Sequence, residues 1–156
     1  MSSPINLFEI ATRARPERPA GYRSGTEQVG PLIAATALGA SVYDLDRGES
    51  ICPYHYEHGN EEWLVVLDGQ PTLRHAGGED VLEPWDVVCF PDGADGAHKV
   101  TNRSDAHVRL VMLSTTRKPA IFVYPDSGKL AVVPPGGLFR LADEVDYWDG
   151  ELERGL

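Results

Sequence analysis

The chain has little positive charge, few cysteines and no long apolar run, and each shortage excludes a class of protein. Its 156 residues include 14 basic and 24 acidic side chains, which gives a formal net charge of −10. Nucleic-acid phosphates require patches of Lys and Arg, and a membrane span requires roughly eighteen uninterrupted apolar residues. The sequence therefore predicts neither a nucleic-acid partner nor a membrane partner.

The cysteines and the first residues bear on the cellular compartment. Cys52 and Cys89 fit no zinc-ribbon or redox spacing, and the start Met-Ser-Ser-Pro-Ile-Asn lacks the features of a secretory signal. We expect a cytoplasmic protein whose thiols stay free and pack as small core side chains. The one basic cluster, Arg13 to Arg23, is interrupted by Glu17 and by prolines, and we interpret it as a solvated N-terminal arm.

The residue pattern predicts an all-β protein. Glycine (16) and proline (12) are spread throughout, and no long stretch repeats apolar residues at the helical period. Short β-branched runs between turn residues are typical of β-sandwiches and barrels. Residues 32–45 predict a strand region broken at Gly39, and Asp68-Gly69 predicts a hairpin turn. Arg109, with apolar neighbours on its strand, is expected to pair with a substrate carboxylate or with an acidic residue on another strand.

We predict a single domain over residues 1–156, because the length and the 42% hydrophobic content suit one core. Residues 1–30 are expected to form the N-terminal arm, with one strand at Ile5–Ile10. Residues 31–133 are expected to form the barrel. The acidic extension, residues 134–156, is expected to pack as a cover or a short helix.

The stretch from Pro53 to Gly69 is rich in residues that bind metals. Within eight residues it has two histidines and three glutamates, namely His55, Glu57, His58, Glu61 and Glu62. Imidazole and carboxylate are the ligand types that divalent metals take from proteins. We interpret the stretch as most of a metal site, which a second stretch near His98 completes.

Strand alternation reduces the number of candidates, because residues two apart in a strand share a face. His55 and Glu57 fall on one face, and the opposite face has Cys52, Tyr54, Tyr56 and His58. Glu62 shares a face with Leu64 and Val66, where a buried carboxylate is costly unless it is paired or bound to metal.

The second stretch alternates in the same way. His98, Val100 and Asn102 share an inward face, while Lys99 and Thr101 point outward. Large side chains elsewhere are expected to fill the core or line a pocket: Tyr54, Tyr56, Trp63, Phe90 and Met112. The remaining histidines and one glutamate are interpreted as surface residues: His58, His75, His107 and Glu61.

These stretches resemble the two motifs of the cupins, which are small jelly-roll barrels. The first motif runs Gly, five residues, His-x-His, three or four residues, Glu, six residues, Gly. His55-Tyr56-Glu57, Glu62 and Gly69 follow it, although Gly48 lies one residue too far upstream and Glu57 replaces the second histidine.

The second motif runs Gly, five residues, Pro-x-Gly, two residues, His, three residues, Asn. Pro91-Asp92-Gly93 fits, His98 arrives two residues late, and Asn102 fits. Trp85 stands where the motif has its first glycine. Since a type II turn needs positive φ there, we expect a type I turn or a strained one, and a Trp85→Gly change that is neutral or stabilising.

The resemblance implies a cupin-type jelly roll, homodimers formed through an edge strand or a swapped arm, and a divalent metal. Carried over by position, the metal ligands are His55, Glu57, Glu62 and His98, a set suited to Fe(II), Mn(II), Zn(II) or Ni(II). The set also reduces to two histidines and one carboxylate, in which case Glu57 is a catalytic acid or base beside the metal.

Two functions follow from this site. The first is a metal-dependent enzyme acting on a small polar or carboxylated molecule, with isomerase, dioxygenase and lyase chemistry all open. The alternative is a non-catalytic module that binds a sugar or another small molecule.

Overall fold

The computed structural model describes residues 3–151, which form β-strands joined by turns. The only α-helix in this range is one turn, α1 (Val29–Leu32), and three 3₁₀ turns lie at Ala94–Gly96, Pro125–Ser127 and Leu141–Asp143. The strands are β1 (Gly25–Gln28), β2 (Leu38–Leu45), β3 (Tyr56–His58), β4 (Glu62–Asp68), β5 (Thr72–His75), β6 (Gly78–Val81), β7 (Val87–Phe90), β8 (His98–Thr101), β9 (Val108–Thr115), β10 (Ala120–Tyr124), β11 (Lys129–Val133) and β12 (Leu138–Arg140).

The strands form three antiparallel sheets. A five-stranded sheet has the order β1-β2-β9-β4-β7, a four-stranded sheet β12-β11-β10-β3, and a three-stranded sheet β6-β5-β8. An isolated antiparallel bridge between His55 and His98 joins the two smaller sheets. The all-β prediction is confirmed.

The main core lies between the five-stranded and three-stranded sheets. Its fully buried side chains come from both, including Leu64 and Val66 of β4 and Val100 of β8. These residues occupy the inward positions that alternation predicted. On β8, Lys99 and Thr101 flank Val100 and are only partly buried.

A second apolar cluster covers the outer face of the five-stranded sheet. Leu7, Ile10 and Ile33 pack there against buried side chains that include Val42 and Val111. The strand predicted at Ile5–Ile10 is wrong, since this segment contains a turn. The segment is held at the sheet by hydrogen bonds rather than by strand pairing.

Arg109 makes those hydrogen bonds. Its Nη1 lies 2.8 and 2.9 Å from the two carboxylate oxygens of Asp44 on the neighbouring strand β2. Its Nε and Nη2 donate to the carbonyl oxygens of Leu7 and Ile10. Of the two partners predicted for Arg109, the structure therefore has the acidic residue on another strand.

The hairpin predicted at Asp68-Gly69 is wrong. Strand β4 pairs with β7 and β9, whereas β5 pairs with β6 and β8. The turn therefore carries the chain from one sheet to the other. Gly69 has φ +77°, and a Cβ there would lie 2.4 Å from the carbonyl oxygen of His107, so the turn requires glycine.

Both predicted extensions contribute strands. Within the proposed arm, β1 pairs along its whole length with β2, and within the acidic extension β12 pairs with β11. The strand region predicted over residues 32–45 is strand only from Leu38, because helix α1 and a turn precede it. The ends of the arm and the extension, residues 1–2 and 152–156, lie outside the described residues. Across residues 3–151 there is no helix with the length and apolar character needed to cross a membrane.

The backbone at Trp85 is strained, which is one of the two turn conformations expected from the sequence. We predict that Trp85→Gly raises stability relative to Trp85→Ala. Its φ is +76° and its side chain is 68% exposed. A Cβ in this region costs about 1–2 kcal/mol, which the entropy that glycine loses on folding offsets only in part. Urea unfolding of both variants measures the difference, expected to be about 1 kcal/mol. A less stable glycine variant would contradict the prediction.

Asn102 holds the loop between β8 and β9, and we predict that Asn102→Ala costs about 2–3 kcal/mol. The residue is fully buried. Its Nδ2 donates to the carbonyl oxygens of Leu45 and Ala106, at 2.9 and 2.8 Å, and its Oδ1 accepts from Ser104. Removal takes this donor from the carbonyl oxygen of Leu45, a fully buried residue, and leaves a cavity in place of the amide. The measurement is the free energy of unfolding, with the exposed Gln70→Ala as the control; equal losses in the two variants would refute the prediction.

Candidate metal centre

The two histidines of the site are paired directly by the backbone. His55 precedes β3 and His98 begins β8, and each backbone amide donates to the other's carbonyl oxygen, at 3.1 and 2.8 Å. Residues opposed in an antiparallel pair project side chains to the same face. The imidazole rings accordingly lie side by side, with their centroids 4.8 Å apart.

Glu62 approaches the histidines from the facing sheet. It begins β4, and its Oε2 lies 3.9 Å from Nε2 of His55 and 3.7 Å from Nε2 of His98. One ligand atom from each of the three residues lies within 4.8 Å of the other two. A facing pair of sheets therefore brings together two imidazoles and one carboxylate, the grouping that transition metals favour.

Backbone carbonyl groups set the tautomer of both rings. Nδ1 of His55 lies 3.1 Å from the oxygen of Pro53, and Nδ1 of His98 lies 2.9 Å from the oxygen of Gly96. Because a carbonyl oxygen only accepts, each Nδ1 carries the proton, and each Nε2 directs a lone pair toward Glu62. This is the arrangement of metal-binding histidines, whose second nitrogen is held by a carbonyl or carboxylate.

Burial sets the charge states of the three side chains. It raises the pKa of Glu62 to about 8, with a further contribution from the charge of Glu57. Burial also lowers the pKa of His98 to about 4, with His55 adding to the effect, and it lowers the pKa of His55. Neutral imidazoles suit a metal, and a divalent cation would remove the cost of ionising Glu62. The donor set therefore fits a divalent metal.

Glu57 lies in the wall of the same cavity, outside the group of three ligand atoms. It is buried on β3, and its Oε2 accepts a hydrogen bond from Nδ2 of Asn60 at 3.1 Å. Burial raises the pKa of its carboxyl group, while Asn60 lowers it. Of the four ligands expected from the resemblance, the structure brings His55, Glu62 and His98 together, and Glu57 faces the space beside them.

A cavity of about 280 Å³ opens onto these residues. On β10, Phe122 and Tyr124 share a face and stack near His55, with ring centroids 6.4 and 5.9 Å away. Their alternation is readable in the sequence, but the sheet that they face is not. Sequence reasoning missed several lining residues, namely Arg18, Thr26, Tyr43, Phe122 and Tyr124.

The aromatic and sulfur-containing candidates divide between the site and the surface. Phe90 stacks on the ring of His98 at 3.7 Å, and Met112 lines the cavity. Trp63, expected in the core or a pocket lining, is 47% exposed and lines a separate cleft with Leu38 and Leu113. Both cysteines are free, but only Cys52 is partly buried, with its Sγ 3.4 Å from Nδ1 of His55. Cys89 is exposed, which corrects the prediction that both thiols pack in the core.

The side chains of the other histidines lie outside the group of three ligand atoms, although His75 is the cross-strand partner of His98. Each stands at or near the surface beside an aspartate, with nitrogen–oxygen distances of 3.0–3.2 Å; the pairs are His58–Asp92, His75–Asp80 and His107–Asp44. Glu61 is also exposed, where it accepts a hydrogen bond from the indole of Trp63. Strand alternation placed His58 on the face opposite His55, in agreement with its exposed position, but it also placed Cys52 there, and Cys52 lines the cavity with His55.

Sequence comparison identifies a domain that contains the whole candidate metal centre. The family model described as Cupin domain matches residues 41–114, a range that includes His55, Glu57, Glu62 and His98. No curated protein matches the chain at the level of sequence.

Solved structures share the fold at low identity. A protein described as a sugar phosphate isomerase, from Silicibacter pomeroyi, is 20% identical with a TM-score of 0.79, over 94% of this chain and 98% of its own. Another described in the same way, from Acidithiobacillus ferrooxidans, is 20% identical with a TM-score of 0.79, over 90% and 91%. The polyketide cyclase RemF from Streptomyces resistomycificus is 17% identical with a TM-score of 0.60, over 77% and 84%. These likenesses confirm the predicted jelly-roll fold and do not extend to activity.

The raised pKa of Glu62 leads to a prediction about how the stability of the metal-free protein depends on pH. Between pH 4.5, the ordinary pKa, and about 8, the unfolded chain ionises this carboxyl group and the folded chain does not. Stability of the metal-free protein therefore falls as the pH rises through this window. Glu62→Gln removes the penalty, so in chelator the variant is expected to be more stable than the wild type at pH 8 and close to it at pH 4.5.

Thermal unfolding at both pH values measures this difference. The control is Glu61→Gln, which changes the exposed carboxylate immediately before Glu62 in the chain. It is expected to leave the pH dependence of stability unchanged. A wild type that equals or exceeds Glu62→Gln in stability at pH 8 would contradict the burial argument.

Proposed function

Because this chain is a single-domain protein of the cupin superfamily, we propose that it is a divalent-metal-dependent isomerase acting on a small polar, hydroxylated molecule. The observation that carries the proposal is the compact group of His55, Glu62 and His98 on the wall of a cavity that also contains Glu57. The names of the two sugar phosphate isomerase structures support the choice of isomerase over dioxygenase or lyase chemistry.

The metal would be held by Nε2 of His55, Nε2 of His98 and the carboxylate of Glu62, leaving coordination positions open on the cavity side. When bound, a divalent ion supplies Lewis acidity toward carbonyl and hydroxyl oxygens. Pro53 and Gly96 keep the imidazoles in the tautomer that binds it. Phe90, stacked on His98, limits movement of that ring.

Glu57 is the residue proposed to move protons. Interconversion of a 2-hydroxy aldehyde and the corresponding ketone takes a proton from C2 and returns it to C1, which a single carboxylate can do. The proton of the C2 hydroxyl passes in the same reaction to the oxygen on C1. The pKa of Glu57 is raised by burial, which makes it a stronger base than an exposed glutamate. Asn60 fixes one oxygen of that carboxylate, and the other remains available for the proton.

Metal content tests the proposal. Protein purified without added metal is expected to contain close to one divalent ion per chain, and His98→Ala to lose most of it. His107→Ala is the control, since it removes an exposed histidine that does not line this cavity. Sub-stoichiometric metal that His98→Ala leaves unchanged would refute the metal site.

Glu57→Gln separates the two roles of that residue. As a proton carrier, Glu57 is expected to be dispensable for metal binding and required for exchange of substrate C–H hydrogen with solvent deuterium. NMR measures this exchange over a panel of aldoses, ketoses and their phosphates, with metal content measured in parallel. Loss of the metal in Glu57→Gln would make Glu57 a fourth ligand instead.

A further inference from the structure

The basic cluster of the N-terminal segment lines a cleft beside the metal centre. Arg13 forms a β-bridge with Thr26, and turns closed by Arg15 with Arg18 and by Pro19 with Tyr22 fold the residues between them. Nζ of Lys99 contacts the hydroxyl of Tyr22 at 3.1 Å and ties this loop to β8. The interpretation of the cluster as a solvated arm is therefore corrected at Arg18, which is only partly exposed.

Two neighbouring cavities meet at this loop. The metal cavity of about 280 Å³ and a second cleft of about 330 Å³ are both lined by Arg18, Thr26 and Tyr43. Arg13 and Arg15 line only the second cleft and not the metal cavity. A molecule that extends from the metal residues past Tyr43 therefore comes to the arginines.

The arginines differ in how far their charges are already neutralised. Arg13 lies 3.4 Å from Glu27, and Arg15 lies 3.6 Å from Glu17, both as solvent-exposed pairs. Arg18 makes no ion pair with any residue of the described range, 3–151. The cleft thus has three guanidinium groups against the single carboxylate of Glu27 in its lining, in a chain whose net charge is −10.

We propose that Arg18, together with Arg13 and Arg15, binds the phosphate monoester of a substrate whose other end lies at the metal centre. A guanidinium group donates to two phosphate oxygens at once, and three of them match a dianion better than a monoanionic carboxylate. The hydroxyls of Thr26 and Tyr43 lie between the two ends of the substrate. The position of the reacting end rests on the proposed function, whereas the phosphate subsite does not require a metal.

Inorganic phosphate is the probe, and calorimetric titration of metal-free protein at constant ionic strength is the measurement. Removing the metal prevents phosphate from binding there instead. Wild-type protein is expected to bind phosphate saturably, and Arg18→Gln to weaken binding about tenfold or more, as expected for the loss of a charge-assisted hydrogen bond. Arg140→Gln is the matched control, an exposed arginine that lines neither cavity and is expected to bind as the wild type does.

The outcomes separate this proposal from the proposed function. Phosphate binding that is absent from the wild type, or equal in Arg18→Gln and Arg140→Gln, would overturn the phosphate subsite. Acetate binding as tightly as phosphate would overturn the assignment to a dianion. Metal content of Arg18→Gln, measured without phosphate, is expected to equal that of the wild type. Failure of the metal test in His98→Ala therefore leaves the phosphate result standing, and the converse also holds.

Discussion

The backbone bridge between His55 and His98 is the contact on which the site depends. It joins the four-stranded and three-stranded sheets into one wall, and the same two hydrogen bonds bring both imidazoles to one face. The facing sheet then needs to supply only one carboxylate, Glu62. The same backbone bridge therefore joins the two small sheets and positions two of the three candidate ligands. A change that separates these sheets would also separate His55 from His98.

The three candidate ligands create an electrostatic cost in the metal-free protein that a bound metal would remove. Burial opposes the negative charge of Glu62 and the positive charges of both imidazoles. Without a cation the residues are most stable when all three are neutral, and with one the carboxylate is favoured in its ionised form. Burial of these three side chains therefore lowers the stability of the metal-free fold at neutral pH, and a bound cation would offset that loss.

Much of the site could be predicted from the sequence because strand alternation is local. The two-residue period placed Glu62, Leu64 and Val66 inward and His58 outward, in agreement with the structure. Which sheet a strand joins depends on distant partners, so the turn at Asp68-Gly69 was wrongly predicted as a hairpin. Arg18 lies on an irregular loop without any period, and only the folded chain reveals that it reaches the cavity.

The N-terminal segment lies outside residues 41–114, where the cupin domain matches. Within that range are all the candidate metal ligands, while Arg13, Arg15, Arg18 and Thr26 precede it. The segment is attached by contacts of its own, through Arg109 on one face of the sheet and Lys99 on the other side. The proposed metal ligands and the proposed phosphate ligands therefore lie in separate stretches of the chain. On this proposal, two proteins with the same metal ligands would differ in the molecules they accept through changes confined to their first thirty residues.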